Sequence, residues 1–270
     1  MWYSRCFTSK IVFATFSIFV CAIDSSRAQG IRDDTLSIAR LGVHISAGLG
    51  SYREDLLVPL SFDGPRFSLG AVYSTRLNNH CINSRLTFGI GFPKNRFSHT
   101  AYVLDVELRS SWLLRISRPQ DIGGFWLGIC LPLRMTNMFF DSWDDAHLYW
   151  LTAYMLGAAV RWEKAVFQDA HAVVQVDIPF LGFASRPPEY RYAKQEALNQ
   201  WTYHFAEPNK GLQFSTLDTY RAILIQALLI RQLASSTLTV GIEFDYQYSS
   251  RPSPIQTMRT SVSVSYQWTL

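Results

Sequence analysis

Two Asp-x-His pairs mark this 270-residue chain, because a carboxylate beside an imidazole can orient it as a general base toward water. Asp145-Ala146-His147 sits in a stretch that also carries Asp141, Trp143 and Asp144. Carboxylates at that spacing could equally hold a divalent cation. Asp169-Ala170-His171 repeats the pattern further on. Two occurrences show how cheap a three-letter pattern is, and a solvated acidic loop is the plainer explanation of Asp144, Asp145 and His147.

A second set of chemical groups is spread over strand-like stretches. Arg85, Asp105, Glu107 and Arg109 alternate with apolar residues, as do Glu243, Asp245 and Arg259. Alternation of period two puts each set on the polar face of its strand. If that face lines a narrow, low-dielectric lumen, the charges must pair to be tolerated. They then form either a network that fills and rigidifies a barrel or the selectivity lining of a small pore, since charged rings sort ions by sign.

His44 and Ser46 also share a polar phase, and a lone lumenal histidine reads as a hydrogen-bonded filler. The segment from Arg186 to Gly211 interleaves Tyr190, Arg191, Tyr192, Lys194, Trp201, Tyr203, His204 and Phe205. Aromatic and basic residues together suit a surface that stacks on sugars or grips an acidic partner, or a loop that folds back over a barrel mouth. None of these sets completes a catalytic constellation, so no cofactor is expected and an enzymatic role is the less favoured of the readings left open.

The elements that must position these groups are strands. Leu41, Val43, Ile45, Ala47 and Leu49 alternate with Gly42, His44, Ser46, Gly48 and Gly50. The same rhythm runs through Phe67–Tyr73, Leu86–Phe92, Tyr102–Leu114, Phe125–Met135, Leu148–Trp162, Ala172–Phe180, Leu238–Tyr248 and Met258–Leu270. Leu217 to Arg231 carries Ile or Leu on both faces, and an amphipathic helix fits it almost as well as a strand. Counting it gives about ten strands, each near the nine to eleven residues that a tilted strand needs to cross a bilayer.

Arg5 and Lys10 precede an apolar run from Ile11 to Ile23, and Ser26-Arg27-Ala28 offers small residues to a signal peptidase. Residues 1–28 therefore read as a cleavable secretory signal and 29–270 as one β-domain. Removing Arg5, Lys10, Arg27 and Asp24 lowers the formal charge from +4 to about +2, which leaves no case for nucleic acid. Cys81 and Cys130 remain after the signal, too few for a disulfide scaffold.

Alternation alone does not say which face points inward, and an exported soluble barrel holding an apolar ligand would show the same period. Three features turn the apolar face outward. Export is one. Trp112, Trp150, Trp162, Tyr248 and Trp268 near strand ends on the apolar face are another, as an aromatic girdle requires. The third is that short connections (77–82, 117–124, 163–169, 232–236) alternate with long ones (51–65, 137–147, 184–215), as in an even-stranded barrel with short periplasmic turns. Pro132 and Pro179 break the pattern: Pro179 is expected near the outer end of its strand and Pro132 at a bulge or kink.

With an export signal, amphipathic strands and a terminal Tyr266-x-Trp268-x-Leu270, the chain resembles bacterial outer-membrane β-barrel proteins. The resemblance implies a transmembrane antiparallel up-and-down barrel in the outer membrane. Its partners would be the bilayer and its lipids, the barrel-assembly machinery that reads Tyr266, Trp268 and Leu270, and an envelope protein. In that family the last residue is usually Phe or Trp, so Leu270 departs from the pattern. The Asp145/His147 pair is similar to one that omptin proteases, also ten-stranded barrels, place at the outer rim, though no second acidic pair accompanies it. Barrel lipid hydrolases use a Ser and a His on the lipid-facing side, whereas His44 and Ser46 fall on the lumenal one. Three functions stay open: a structural or interaction role, a narrow porin-like pore for small solutes, and hydrolysis of peptide or lipid at the outer rim.

Overall fold

The computed structural model describes residues 38–54, 60–117, 123–140, 147–167, 169–186, 209, 211–251 and 254–270. The expected export segment, 1–28, lies outside them. The strands are β1 (Ile38–Glu54), β2 (Leu60–Leu77), β3 (His80–Gly91), β4 (Ala101–Arg115), β5 (Gly123–Phe140), β6 (His147–Phe167), β7 (Ala170–Ser185), β8 (Gln213–Thr216), β9 (Tyr220–Gln232), β10 (Ser236–Ser249) and β11 (Ile255–Thr269).

Consecutive strands pair antiparallel from β1 to β7, β7 pairs with β9, and β9, β10 and β11 lead back to β1. The short β8 lies beside the far half of β7 and continues the line of β9, so the wall is a closed ring of ten strands. Closure resolves the ambiguity of Leu217–Arg231. Both β7 and β10 need a partner there, and Tyr220–Gln232 supplies it as a strand while Leu217–Thr219 turns the chain out of β8. The seam sets Leu41 opposite Trp268, Val43 opposite Tyr266 and Ile45 opposite Val264. The last amide, of Leu270, donates to the carbonyl of Ala39 at 3.0 Å.

The two faces of this wall are inverted relative to a soluble protein. Ile45, Leu69, Phe88, Ile242 and Val262 are 56–60% exposed, while their neighbours Ser46, Ser68, Thr87, Glu243 and Ser263 are 3–7% exposed. Apolar residues point out and polar ones point in.

Several expectations are corrected. The strands of the ring run from 12 to 21 residues rather than nine to eleven, because the ladder continues after the alternation stops. The segment read as a long connection from Ser51 to Pro65 is mostly a hairpin, with Ser51 opposite Asp63 and Tyr52 opposite Phe62. Trp150 keeps the outward phase but is buried, and its indole lies 3.4 Å from Ser185 Oγ. Trp112, Trp162 and Trp268 do stand out from the wall, all at the end where β1 begins and β11 stops.

Pro179 is not near a strand end, since β7 continues to Ser185. A bulge beside it shifts the register between Leu156 and Gly157, and the β5–β6 ladder skips Leu131 and Pro132 without changing register. Both prolines thus abut one stretch of β6, where the missing donors are absorbed. Gly157 is required there, because a Cβ would lie 2.4 Å from the Ile178 carbonyl oxygen and 2.6 Å from Pro179 Cα.

The interior is layered rather than uniformly polar. Tyr52, Phe62, Val103, Met138, Leu151, Met155, Tyr220 and Ile255 form an apolar cluster at the far end. Cys81, Leu113, Trp126, Cys130 and Ala159 form a smaller one toward the terminal end, with both thiols free. Charged residues occupy the middle.

Candidate functional site

Strand β4 carries the core of the charged layer, because Asp105, Glu107 and Arg109 occupy successive inward positions. Asp105 receives Arg66 Nε at 2.8 Å, Arg259 Nη2 at 2.8 Å and the Thr136 hydroxyl at 2.6 Å. Glu107 receives Arg134 at 2.6 Å and pairs with Arg109. Arg134 also reaches Asp245 at 2.6 Å. Arg109 lies 3.5 Å from both Glu243 and Asp245.

Register explains why these bridges cross the lumen. Arg85 and Arg109 are directly opposite in the β3–β4 ladder, where like charges repel. Arg85 instead grips Glu243 of β10 with both terminal nitrogens, one at 2.6 Å. A bidentate fork is the strongest form of this pairing. His44 Nδ1 is 2.8 Å from Ser265 Oγ, its Nε2 is 3.4 Å from Arg85, and Ser46 bonds Ser68 at 2.6 Å.

Small inward residues make room for the layer. A Cβ on Gly89 would sit 2.8 Å from Arg66 Nη2, so glycine there lets the guanidinium reach Asp105. The voids left around the network are about 30 Å³ and 20 Å³, room for a water or so each. The layer ties β2–β5 to β10 and β11.

Arg85, Asp105, Glu107, Arg109, Glu243, Asp245 and Arg259 are thus brought together. Sequence reasoning missed Arg66, Arg134 and Thr136. Arg134 and Thr136 lie in the polar phase of a recognised strand, and Arg66 was hidden by reading the chain up to Pro65 as loop.

The other candidates are not assembled with this layer. Asp144, Asp145, Tyr190, Tyr192 and Trp201 lie outside the described residues. So does the side chain of His147, whose backbone opens β6 opposite Phe140. Asp169 is in the turn before β7, 2.8 Å from Arg231 Nε, and that hydrogen bond holds its carboxyl below the usual range. His171 faces the lumen instead, so the second Asp-x-His pair is separated. At the borders of the long connection, Arg186 Nη1 donates to the Arg251 carbonyl at 3.1 Å and Tyr154 donates to Asn209.

No family model matches the chain, and no curated protein does. Solved structures do. The outer membrane protease OmpT from Escherichia coli is 9% identical with a TM-score of 0.51, and the match covers 91% of this chain and 100% of that one. The translocator domain of the autotransporter NalP from Neisseria meningitidis is 10% identical with a TM-score of 0.43, covering 96% and 97%. At such identities the first of these likenesses speaks to fold alone. Together with the apolar exterior and the closed ring, it decides the matter.

The chain has the fold of bacterial outer-membrane β-barrels. The end where β1 begins and β11 stops also carries the short turns, which by the rule for such barrels is the periplasmic end, and the far end is the outer one. Trp112, Trp162 and Trp268 stand exposed at the periplasmic end, the level at which indole rings of an aromatic girdle meet lipid headgroups. The barrel's seam ends there too, on Leu270.

Proposed function

We propose that this outer-membrane barrel is closed and serves a structural or interaction role, through its outer connections or as a subunit of an envelope assembly. The carrying observation is the charged layer, in which every carboxylate named above meets an arginine across or along the lumen. Ten strands leave little interior, and open channels belong to much larger rings. Planar-bilayer recording of the purified protein tests the reading. A flat trace is expected, and reproducible single-channel steps would overturn it.

The alternative is a narrow pore. It is favoured by a polar vestibule of about 180 Å³ on the periplasmic side, which shares Arg109 and Asp177 with the smaller void beyond. A current altered by Asp105→Ala or Glu107→Ala would establish that reading. A hydrolase rests on the protease named for the OmpT fold and on Asp145 and His147. Loss of a measured peptide or lipid hydrolysis in Asp145→Ala and His147→Ala would support it, and no activity on either substrate would end it. In every case Tyr266, Trp268 and Leu270 are proposed to engage the barrel-assembly machinery.

A further inference from the structure

We propose that the periplasmic vestibule binds one small anion bearing a carboxylate or phosphate group, with Arg40 as its anchoring cation. The cavity of about 180 Å³ runs inward from the periplasmic rim to the Arg85–Glu243 pair. At about 30 Å³ per water it holds roughly six, room for phosphate or a short dicarboxylate with water beside it.

Its electrostatics are unequal. Arg76 Nη2 and Arg161 Nη2 each lie 2.7 Å from a single carboxylate, Glu163. Arg85 and Arg109 deeper in are matched to Glu243. Arg40 has no carboxylate partner among the described residues, and its Nε is buried without an acceptor. An arginine inside a barrel with no counter-charge bears a desolvation cost that an anion would offset. A low-dielectric cup with five arginines and only Asp177 and Glu243 as carboxylates on its wall also concentrates anions.

Register places further donors beside it. Arg40 is opposite Thr269, the next inward position on β11 is Gln267, Gln267 faces Thr237 of β10, and Thr237 faces Gln232 of β9. All four of Arg40, Gln267, Thr237 and Gln232 line the cavity. The Thr237 hydroxyl is buried and unpartnered. Guanidinium, hydroxyl and amide donors on four adjacent strands suit an oxyanion, for which a planar guanidinium fork is well shaped. Asp177, on the inner wall and 2.9 Å from Gln175 Nε2, sits at the deep end. The anion therefore seats at the rim.

The site does not depend on whether the lumen conducts. Calorimetric titration of the intact barrel in non-ionic detergent at low salt, with inorganic phosphate and separately with succinate, tests it. Saturable one-to-one binding of either is expected, with phosphate alone indicating a phosphoryl ligand and succinate alone a carboxylate. Affinity should fall about tenfold in Arg40→Gln, as loss of one charge-assisted contact implies. Arg40→Lys, which keeps the charge without the fork, should fall between. Arg231→Gln, at the exposed end of β9, should bind as the parent does. Heat-modifiable gel mobility confirms that each variant is folded. No saturable binding of either anion, equal binding of chloride, or undiminished binding by folded Arg40→Gln would overturn the assignment.

Discussion

Arg259 stands directly opposite Asp245 in the β10–β11 ladder, yet its guanidinium binds Asp105 on β4, 2.8 Å away across the lumen. A neighbour pair would stiffen two strands that are already hydrogen-bonded. The transverse pair holds opposite walls together.

Asp105→Asn should therefore be among the most damaging lumenal changes. It leaves Arg66 and Arg259 buried against a neutral amide, and breaking one side of a buried ion pair costs about 3–5 kcal/mol. Thermal unfolding followed by gel mobility measures this. A loss under about 1 kcal/mol would mean that the layer is hydrated and loosely held.

Two glycines should differ in their cost. Gly157→Ala drives a Cβ into the backbone of Ile178 and Pro179, which cannot yield, and about 1–3 kcal/mol of overpacking strain is expected. Gly89→Ala meets only the end of the Arg66 side chain, so a smaller loss is expected, expressed as a displaced Arg66–Asp105 pair. Urea unfolding of both variants would reveal a reversed order.

Ile45→Arg places a charge on the lipid side near the middle of β1. The expected cost is about 2–4 kcal/mol in bilayers, as for cations at the midplane of such barrels. Folding yield into vesicles, compared with a change at the exposed turn residue Asp169, reads it out. A wall that tolerated Ile45→Arg without penalty would not be facing hydrocarbon.

Deleting Trp268 to Leu270 removes the pairing of Trp268 with Leu41 and the Leu270 amide bond to Ala39. Membrane insertion in cells should collapse, while refolding of the purified chain into detergent should be impaired less, if the terminus is read by assembly machinery as well as closing the seam. Normal insertion of the truncated chain would remove that role from Tyr266, Trp268 and Leu270.

Much of the barrel was legible because period two is a local property. Val43, Ile45, Tyr266 and Trp268 had to share one face and His44, Ser46, Ser263 and Ser265 the other, whatever lay beside them. Where both faces were apolar, as in Ile223 to Leu229, local pattern had nothing to choose between, and the vacant place between β7 and β10 made the choice.

The ion layer divides in the same way. Composition and phase put Arg85, Asp105, Glu107, Arg109, Glu243, Asp245 and Arg259 on inward faces, because spacing along a strand sets direction. Which carboxylate each arginine meets depends on strands far apart in the chain, brought together by closure and register. Arg85 takes Glu243 rather than any group on its own hairpin for that reason. So, too, the lone position of Arg40 over the vestibule follows from where its neighbours on β9, β10 and β11 end. Sequence determined the two faces of the wall, and tertiary structure decided the partners, since pairing of charges is a property of distance through space and not along the chain.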